Sequence, residues 1–284
     1  MSDTPSPDQE KEMETVTSPD GTEIAYERTG NGPLLVCVHG SWSSHHDWDG
    51  VVPGLSESFS VVTYDRRGHS QSERPSEQGS VTEDVADLAA LIERLGGERA
   101  WVAGNSFGAS ITLRLATTHP ERVHGVVVHE PPLFGVIADD PDLALLVEED
   151  ERMTASVSDR IASGDHAGGA ERFIEHELGS GSWSTLPSDF RSTLIENAPT
   201  FLDEARDPER TVFDPSWLAD FHRPVMLTTG SESPPTYAEI VSRLADALPA
   251  GEVAQIEGAG HLPHVTQPDE YVEATRDFIR NHTD

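Results

Sequence analysis

The sequence of 284 residues predicts an α/β fold, with a mostly parallel sheet of eight strands and helices on both of its faces. Three observations support this prediction. Eight short runs rich in apolar residues recur along the chain, and helical patterns separate most of them. The alternation stops between residues 131 and 214, where helical patterns follow one another without strands. A chain of this length buries one large core, and that stretch is long enough to form an inserted subdomain.

The first two strands are predicted as a hairpin, Glu14–Thr17 and Glu23–Glu27, because Pro19-Asp20-Gly21 forms a turn between them. Six further apolar runs are predicted as strands: Leu34–Val38, Ser60–Tyr64, Trp101–Gly104, Val123–His129, Val225–Thr229 and Glu252–Ile256.

Four helices are predicted between these strands or after them, at Val81–Leu95, Phe107–Thr118, Tyr237–Ala247 and Glu270–Asn281. In the first of them, apolar side chains recur at steps of three and four residues, which indicates a buried face. Two amphipathic runs, Asp142–Met153 and Gly169–Glu177, predict helices in the stretch without strands.

The composition is strongly acidic, with a formal net charge of −32 and Lys11 as the only lysine. Such a charge disfavours binding to nucleic acids and to anionic membranes, which both require basic surfaces. Two interpretations remain open. The charge can steer a cationic substrate, or it can keep the surface solvated in concentrated salt. Acidic residues spread along a chain nearly free of lysine resemble the proteins of salt-loving archaea.

Cys37 is the only cysteine, so no intrachain disulfide is expected, and its place in a strand predicts a core residue. No apolar stretch approaches the length of a membrane span, and residues 1–12 are predicted to be a disordered acidic tail. We therefore expect a soluble protein in the cytoplasm.

Gly104-Asn105-Ser106-Phe107-Gly108 lies between a predicted strand and a predicted helix. A G-x-S-x-G sequence in this context is a nucleophile elbow, a tight turn that exposes one serine hydroxyl. The two glycines are expected where a Cβ atom would crowd the turn. Ser106 is therefore the candidate nucleophile.

Two further signals follow the same order along the chain. A strand runs into His39-Gly40-Ser41-Trp42, and a later strand leads into Gly258-Ala259-Gly260-His261. With these motifs the chain resembles the α/β-hydrolase superfamily from about residue 14 to its C-terminus. Asp65-Arg66-Arg67-Gly68-His69-Ser70 is similar to the family's D-x-R-G-x-G-x-S segment, except that Ser70 replaces the second glycine.

This resemblance implies a division of the chain into a hydrolase core, residues 13–133 and 215–284, and a helical cap, residues 134–214. A cap of this kind roofs the nucleophile and shapes an apolar pocket. Seven apolar side chains of the cap are candidates for its lining or for packing within the cap: Phe173, Leu178, Trp183, Leu186, Phe190, Leu194 and Phe201.

The resemblance also implies roles for the other site residues. His261 is the expected general base, while His264 is interpreted as a surface or structural residue. His39 is expected to support the oxyanion loop without transferring a proton. The backbone N–H groups of Phe107 and Ser41 are expected to form the oxyanion hole.

The acid of the triad departs from the family pattern. The family places an aspartate three residues after the glycine that ends the seventh strand, and here that position is Ser233. Two carboxylates can replace it. Glu130 ends the sixth strand, a position that supplies the acid in some members of the fold, and it is the preferred candidate; Glu232 is the alternative acid.

The resulting hypothesis is a serine hydrolase that cleaves a small or medium carboxylic ester, lactone or thioester through an acyl-enzyme on Ser106. The chain is similar to the enol-lactonase, esterase and perhydrolase-type members of the superfamily. Two alternatives remain: a cofactor-free C–C bond hydrolase with the same triad, and a binding or sensor protein with little turnover, since Ser233 cannot serve as the acid. This chemistry needs neither a cofactor nor a metal, and the expected partner is a small-molecule ester or lactone. The oligomeric state is left open.

Overall fold

The computed structural model describes residues 13–96 and 99–283. The predicted acidic tail, residues 1–12, lies outside the described residues. Within them the chain forms one eight-stranded sheet in the order β1-β2-β4-β3-β5-β6-β7-β8. The strands are β1 Glu14–Thr17, β2 Glu23–Thr29, β3 Leu34–Val38, β4 Ser60–Tyr64, β5 Ala100–Asn105, β6 Val123–His129, β7 Val225–Gly230 and β8 Gly251–Ile256. β2 pairs antiparallel with β1 and β4, and all other pairs are parallel. The predicted α/β fold class is confirmed.

The α-helices of the described chain are α1 Val52–Ser56, α2 Val81–Arg94, α3 Phe107–Thr118, α4 Ala144–Ala162, α5 His166–Glu177, α6 Ser182–Thr185, α7 Ser188–Asn197, α8 Thr200–Arg206, α9 Pro235–Ala247, α10 Pro263–Thr266 and α11 Pro268–Asn281. α2 shows why the sequence forms these helices. The Ser80 hydroxyl accepts a hydrogen bond from the Glu83 N–H and donates one to the Glu83 carboxylate, which caps the first turn.

The sheet separates two hydrophobic cores. Val36 and Val38 of β3 pack on one face with the apolar sides of α2, α3 and α9. Leu35 and Cys37 point to the other face, where they pack with α1 and α11. The central strands are buried on both faces, which accounts for their continuous apolar sequences. Their carboxyl ends meet at one edge of the sheet, so residues that follow them are brought close together.

We call residues 134–214 the helical insertion; it contains α4 to α8 and joins β6 to β7. Its helices enclose a third hydrophobic core, to which Trp42 of the oxyanion loop contributes. The Trp42 ring lies 5.2 Å from that of Phe173 and 4.9 Å from that of Phe201, measured between centroids. The insertion therefore packs directly on the loop that follows β3.

Polar contacts also attach the insertion to the sheet. The Asn197 amide donates to the Ser43 carbonyl at 2.8 Å and accepts from the Ser70 N–H at 2.9 Å. Ser70 has a φ of 42°, the left-handed region that glycine adopts more readily. This backbone conformation explains why a glycine is usual at the position where this chain has Ser70.

Candidate active site

Ser106 lies in a tight turn between β5 and α3, with φ 54° and ψ −124°. Few residues other than glycine adopt a positive φ, and such strain is common at functional sites. The flanking glycines allow the turn. A Cβ on Gly104 would lie 2.5 Å from the Gly108 carbonyl oxygen, and one on Gly108 would lie 2.2 Å from the Val38 carbonyl oxygen. The turn thus requires both glycines of the motif.

Glu130 follows β6 directly, and its backbone also has a positive φ, 45°. Its side chain is fully buried, with each carboxylate oxygen in a different hydrogen bond. Oε1 accepts from the Gly230 N–H at 2.8 Å, and Oε2 lies 2.8 Å from His261 Nδ1. Burial alone would raise the pKa of Glu130, but hydrogen bonds and charge interactions with His129 and His261 hold that pKa well below its usual range. Glu130 is therefore a carboxylate.

His261 is placed by the turn that follows β8, and only 6% of its surface is exposed. Its ring stacks on Tyr237, with centroids 4.7 Å apart and planes inclined by 22°. Burial would lower the pKa of His261, but the hydrogen bond to Glu130 and the negative charges of Glu177 and Glu130 outweigh it and raise this pKa. With Nδ1 bound to Glu130, the lone pair of Nε2 is left to accept a proton.

The alternative acid, Glu232, has an exposed side chain, and its backbone N–H donates to the Ala259 carbonyl. No hydrogen bond joins Glu232 to His261 among the described residues. The Ser233 hydroxyl is buried and has no hydrogen-bond partner in the same part of the chain. The structure thus brings Glu130 to the imidazole and leaves Glu232 at the surface.

The residues expected to supply the oxyanion hole lie on both sides of Ser106. Phe107 begins α3, so its N–H has no partner within the helix. The Ser41 N–H makes no hydrogen bond among the described residues, and Ser41 lines a cavity together with Ser106 and Phe107. Both N–H groups are free to bind a developing negative charge.

A buried ion-pair network contacts the residues expected to form the oxyanion hole. The Glu204 carboxylate of α8 accepts from the Ser41 hydroxyl and, at 2.9 Å, from Arg66. Arg66 also pairs with Asp84 and donates to the Gly40 carbonyl at 3.2 Å. Its guanidinium lies 4.7 Å from the centre of the Phe107 ring. Glu204 of the helical insertion therefore contacts Ser41 directly and is linked to Phe107 through Arg66 of the core.

The two remaining histidines of the motifs are buried. His39 Nε2 accepts from the Arg66 N–H at 3.0 Å, so its Nδ1 donates to the Gly40 carbonyl at 2.8 Å. Burial is the main cause that lowers the pKa of His39 to about 3, which keeps it neutral. His264 is fully buried and stacks on Trp48 with centroids 4.4 Å apart. Of the two interpretations of His264, surface or structural, burial agrees with the structural one.

Two cavities that share lining residues lie next to these residues. The inner cavity, about 40 Å³, is lined by Ser106, His261 and four apolar side chains of the insertion: Phe173, Leu178, Phe190 and Leu194. The outer cavity, about 800 Å³, shares His261 with it and includes Leu186. Phe201 lines a third small cavity, which Ser106 also borders. Trp183 lines none of these three and packs within the insertion. Ser106 and His261 face the same cavity without a hydrogen bond between them, a separation common before substrate binds.

Sequence patterns did not indicate four residues of this region: Tyr237, Glu177, Glu204 and Asp47. Tyr237 donates to Glu177 at 3.0 Å, and Glu177 lines all three cavities. For these four residues the sequence indicated only that the insertion covers the site.

No group of three metal-ligating side chains occurs in residues 13–96 and 99–283. In the same residues, no helix combines the length and the hydropathy needed to cross a bilayer.

A sheet of this topology, with a serine in a strained turn and a buried His–Glu pair beside it, defines a class of hydrolases. The sequence model of the alpha/beta hydrolase fold matches residues 33–268. Because this match covers most of the chain, the protein belongs to the alpha/beta hydrolase family.

The similar proteins match this chain over different lengths. A pimeloyl-(acyl-carrier protein) methyl ester esterase of Nitrosomonas europaea is 30% identical over 257 residues, 88% of this chain and 96% of that protein. YraK, an uncharacterized hydrolase of Bacillus subtilis, is 38% identical over 119 residues, 41% of this chain and 44% of that protein. The solved enol-lactonase of Burkholderia xenovorans LB400 has a TM-score of 0.77 at 18% identity, covering 94% of this chain and 100% of that one. This last similarity shows the shared fold.

Proposed function

We propose that the protein is a serine hydrolase that cleaves a small or medium carboxylic ester, lactone or thioester through an acyl-enzyme on Ser106. One observation carries this proposal: the buried Glu130 carboxylate binds Nδ1 of His261, which faces the same cavity as Ser106. This contact supplies the acid that Ser233 cannot provide. The lack of an aspartate at Ser233 was the reason to consider a binding or sensor protein, and the Glu130–His261 contact favours the hydrolase over that alternative.

The chemistry follows from these positions. Nε2 of His261 accepts the proton of the Ser106 hydroxyl as Oγ attacks the carbonyl carbon. The N–H groups of Ser41 and Phe107 bind the oxyanion, and Glu130 stabilises the imidazolium. His261 then passes this proton to the departing alkoxide or thiolate, which leaves as the alcohol or thiol. Water, deprotonated by His261, hydrolyses the acyl-enzyme and frees Ser106.

The substrate class rests on the cavities and the relatives. The inner cavity accommodates only a small group beside Ser106, whereas the outer cavity accepts a larger one. A methyl ester esterase among the relatives agrees with a carboxylic ester. We propose that residues 134–214 are a cap domain that shapes both cavities, on a core of residues 13–133 and 215–284.

The cellular location of the protein and its adaptation to salt are also proposals. Its net charge of −32 and single lysine support a cytoplasmic protein adapted to concentrated salt, as in halophilic archaea. At molar salt the Debye length is about 3 Å, so the repulsion between surface carboxylates is largely screened.

The test is hydrolysis of short p-nitrophenyl esters and a set of lactones in molar KCl, together with a fluorophosphonate that labels active serines. Sustained turnover and a single adduct on Ser106, located by mass spectrometry, are expected. Ser106→Ala is expected to remove both while keeping the circular dichroism spectrum and Tm of the original protein. Labelling without turnover would favour the binding protein, and turnover by Ser106→Ala would refute the assigned nucleophile.

A further inference from the structure

Three buried polar residues that the proposed reaction does not use line the inner cavity. Asp47, Ser43 and Asn105 line it together with Ser106, and they are 6%, 4% and 1% exposed. One Asp47 carboxylate oxygen, the Ser43 hydroxyl and both ends of the Asn105 amide have no hydrogen-bond partner among the described residues. Buried polar atoms are nearly always hydrogen-bonded, so atoms of this kind beside a nucleophile indicate a polar ligand.

Among the described residues, carboxylates outnumber the basic side chains around these atoms, and the basic ones are the imidazoles of His46 and His261. Five side chains that line the inner and outer cavities are carboxylates: Asp47, Asp49, Glu177, Asp189 and Glu232. Neither lining contains an arginine or a lysine from the described part of the chain. The nearest basic group to Asp47 is His264, whose Nε2 is 4.0 Å from the carboxylate, beyond hydrogen-bond distance. An anionic substrate group would therefore be repelled on its way to Ser106, and a cationic one attracted.

We infer that the inner cavity binds a small ammonium group of the substrate, with Asp47 as its counter-ion and with Ser43 and Asn105 as hydrogen-bond acceptors. The inference rests on the proposed function and narrows its substrates to amino-substituted esters, lactones or thioesters. A primary ammonium group has three donors and no acceptor, which matches the Asp47 carboxylate, the Ser43 hydroxyl oxygen and the Asn105 carbonyl oxygen.

The size of the cavity limits the group further. Its volume of about 40 Å³ exceeds the roughly 10–15 Å³ that one water needs, so a small ammonium group fits. Apolar side chains of the insertion cover the remaining wall, where the carbon chain of the substrate would pack.

The test compares three small probes of similar shape: propylammonium, 1-propanol and propanoate. Their binding is measured by isothermal titration calorimetry on Ser106→Ala and by competition with p-nitrophenyl acetate on the original protein, both in molar KCl. Hydrogen bonds to a charged partner typically change affinity by about ten- to a hundredfold. Propylammonium is therefore expected to bind at least about tenfold more tightly than propanol, with propanoate weakest. Equal binding of propylammonium and propanol would overturn the inference.

Two variants locate the effect. Asp47→Asn keeps the shape of the side chain and is expected to abolish the preference for propylammonium. Asp246→Asn, an equal change of charge at an exposed site on α9 outside these cavities, is expected to retain it. A preference that survives in folded Asp47→Asn would overturn the inference, with Tm as the check of folding. Calorimetry needs no turnover, so the binding comparison tests the ammonium site even if none of the esters and lactones is hydrolysed, an outcome that would refute the proposed function alone.

Discussion

Replacing Glu130 by Gln is expected to lower kcat by about 10³- to 10⁴-fold while Tm changes little. The two carboxylate oxygens have different partners, the Gly230 N–H and His261 Nδ1. A glutamine has one oxygen and one NH₂ group, so it cannot accept from both. Facing its NH₂ group towards Gly230 would leave two buried donors opposed, at a cost of about 1–3 kcal/mol.

The favoured orientation therefore turns the NH₂ group towards His261. Nδ1 must then accept a hydrogen bond, which places the imidazole proton on Nε2 and prevents His261 from taking the Ser106 proton. The cost of the other orientation corresponds to a preference of roughly 5- to 150-fold for this inactive tautomer. Loss of the negative charge beside the imidazolium lowers kcat further. The equivalent acid-to-amide change in a serine-protease triad lowers kcat by about 10⁴-fold.

The assay is steady-state hydrolysis of p-nitrophenyl acetate, with Tm followed by circular dichroism. Glu232→Gln is the matched control, because it makes the same change in an exposed side chain two residues beyond Gly230. This control is expected to stay within about twofold of the original kcat. A Glu130→Gln protein that keeps a tenth of the activity, or an equal loss in Glu232→Gln, would refute the assignment of Glu130.

Three further outcomes are expected. Since the pKa of His261 is raised above its usual 6.5, kcat/KM should begin to fall on acidification at a pH above that value. Glu130→Gln removes the hydrogen bond that raises this pKa, so the residual activity of the variant should persist to lower pH. Glu204→Gln should lower kcat by about tenfold with less effect on KM, a smaller loss than the roughly 10²- to 10³-fold expected when an oxyanion donor is removed. Glu196→Gln, a change at an exposed side chain, is the control. Equal activities of the two variants would show that the ion-pair network does not support the oxyanion hole. Finally, Tm should rise from dilute buffer to molar KCl because screening weakens carboxylate repulsion, and a Tm independent of salt would contradict the proposed adaptation.

The sequence was sufficient to predict the sheet because its strands are short, apolar and separated by clear helical patterns. All eight strands occur where predicted, with ends that differ by at most two residues. The short helices α1 and α10 were not predicted, since four or five residues are too few to show a periodicity.

The site was predictable where a residue follows a strand directly. Ser106 and Glu130 end neighbouring parallel strands, so topology alone brings them to one edge of the sheet. The choice between Glu130 and Glu232 depended on side-chain direction, which the left-handed backbone of Glu130 determines and which no motif encodes. Contacts such as that between Ser41 and Glu204 join residues 163 positions apart and depend on how the insertion packs.

The position of Glu130 on β6 has a consequence for how this enzyme can diversify. The turn after β7, residues 231–234, borders the outer cavity through Glu232, Ser233 and Pro234. The Ser231 hydroxyl accepts from the Gly258 N–H, but in the described part of the chain no side chain of this turn is hydrogen-bonded to His261. In the usual family arrangement the same turn carries the acid, so its sequence is fixed by catalysis. Under the proposed mechanism this turn does not supply the acid. The side chains of residues 232–234 are therefore the place to vary sequence in a directed-evolution library for new substrate ranges, because Glu130 and His261 follow other strands.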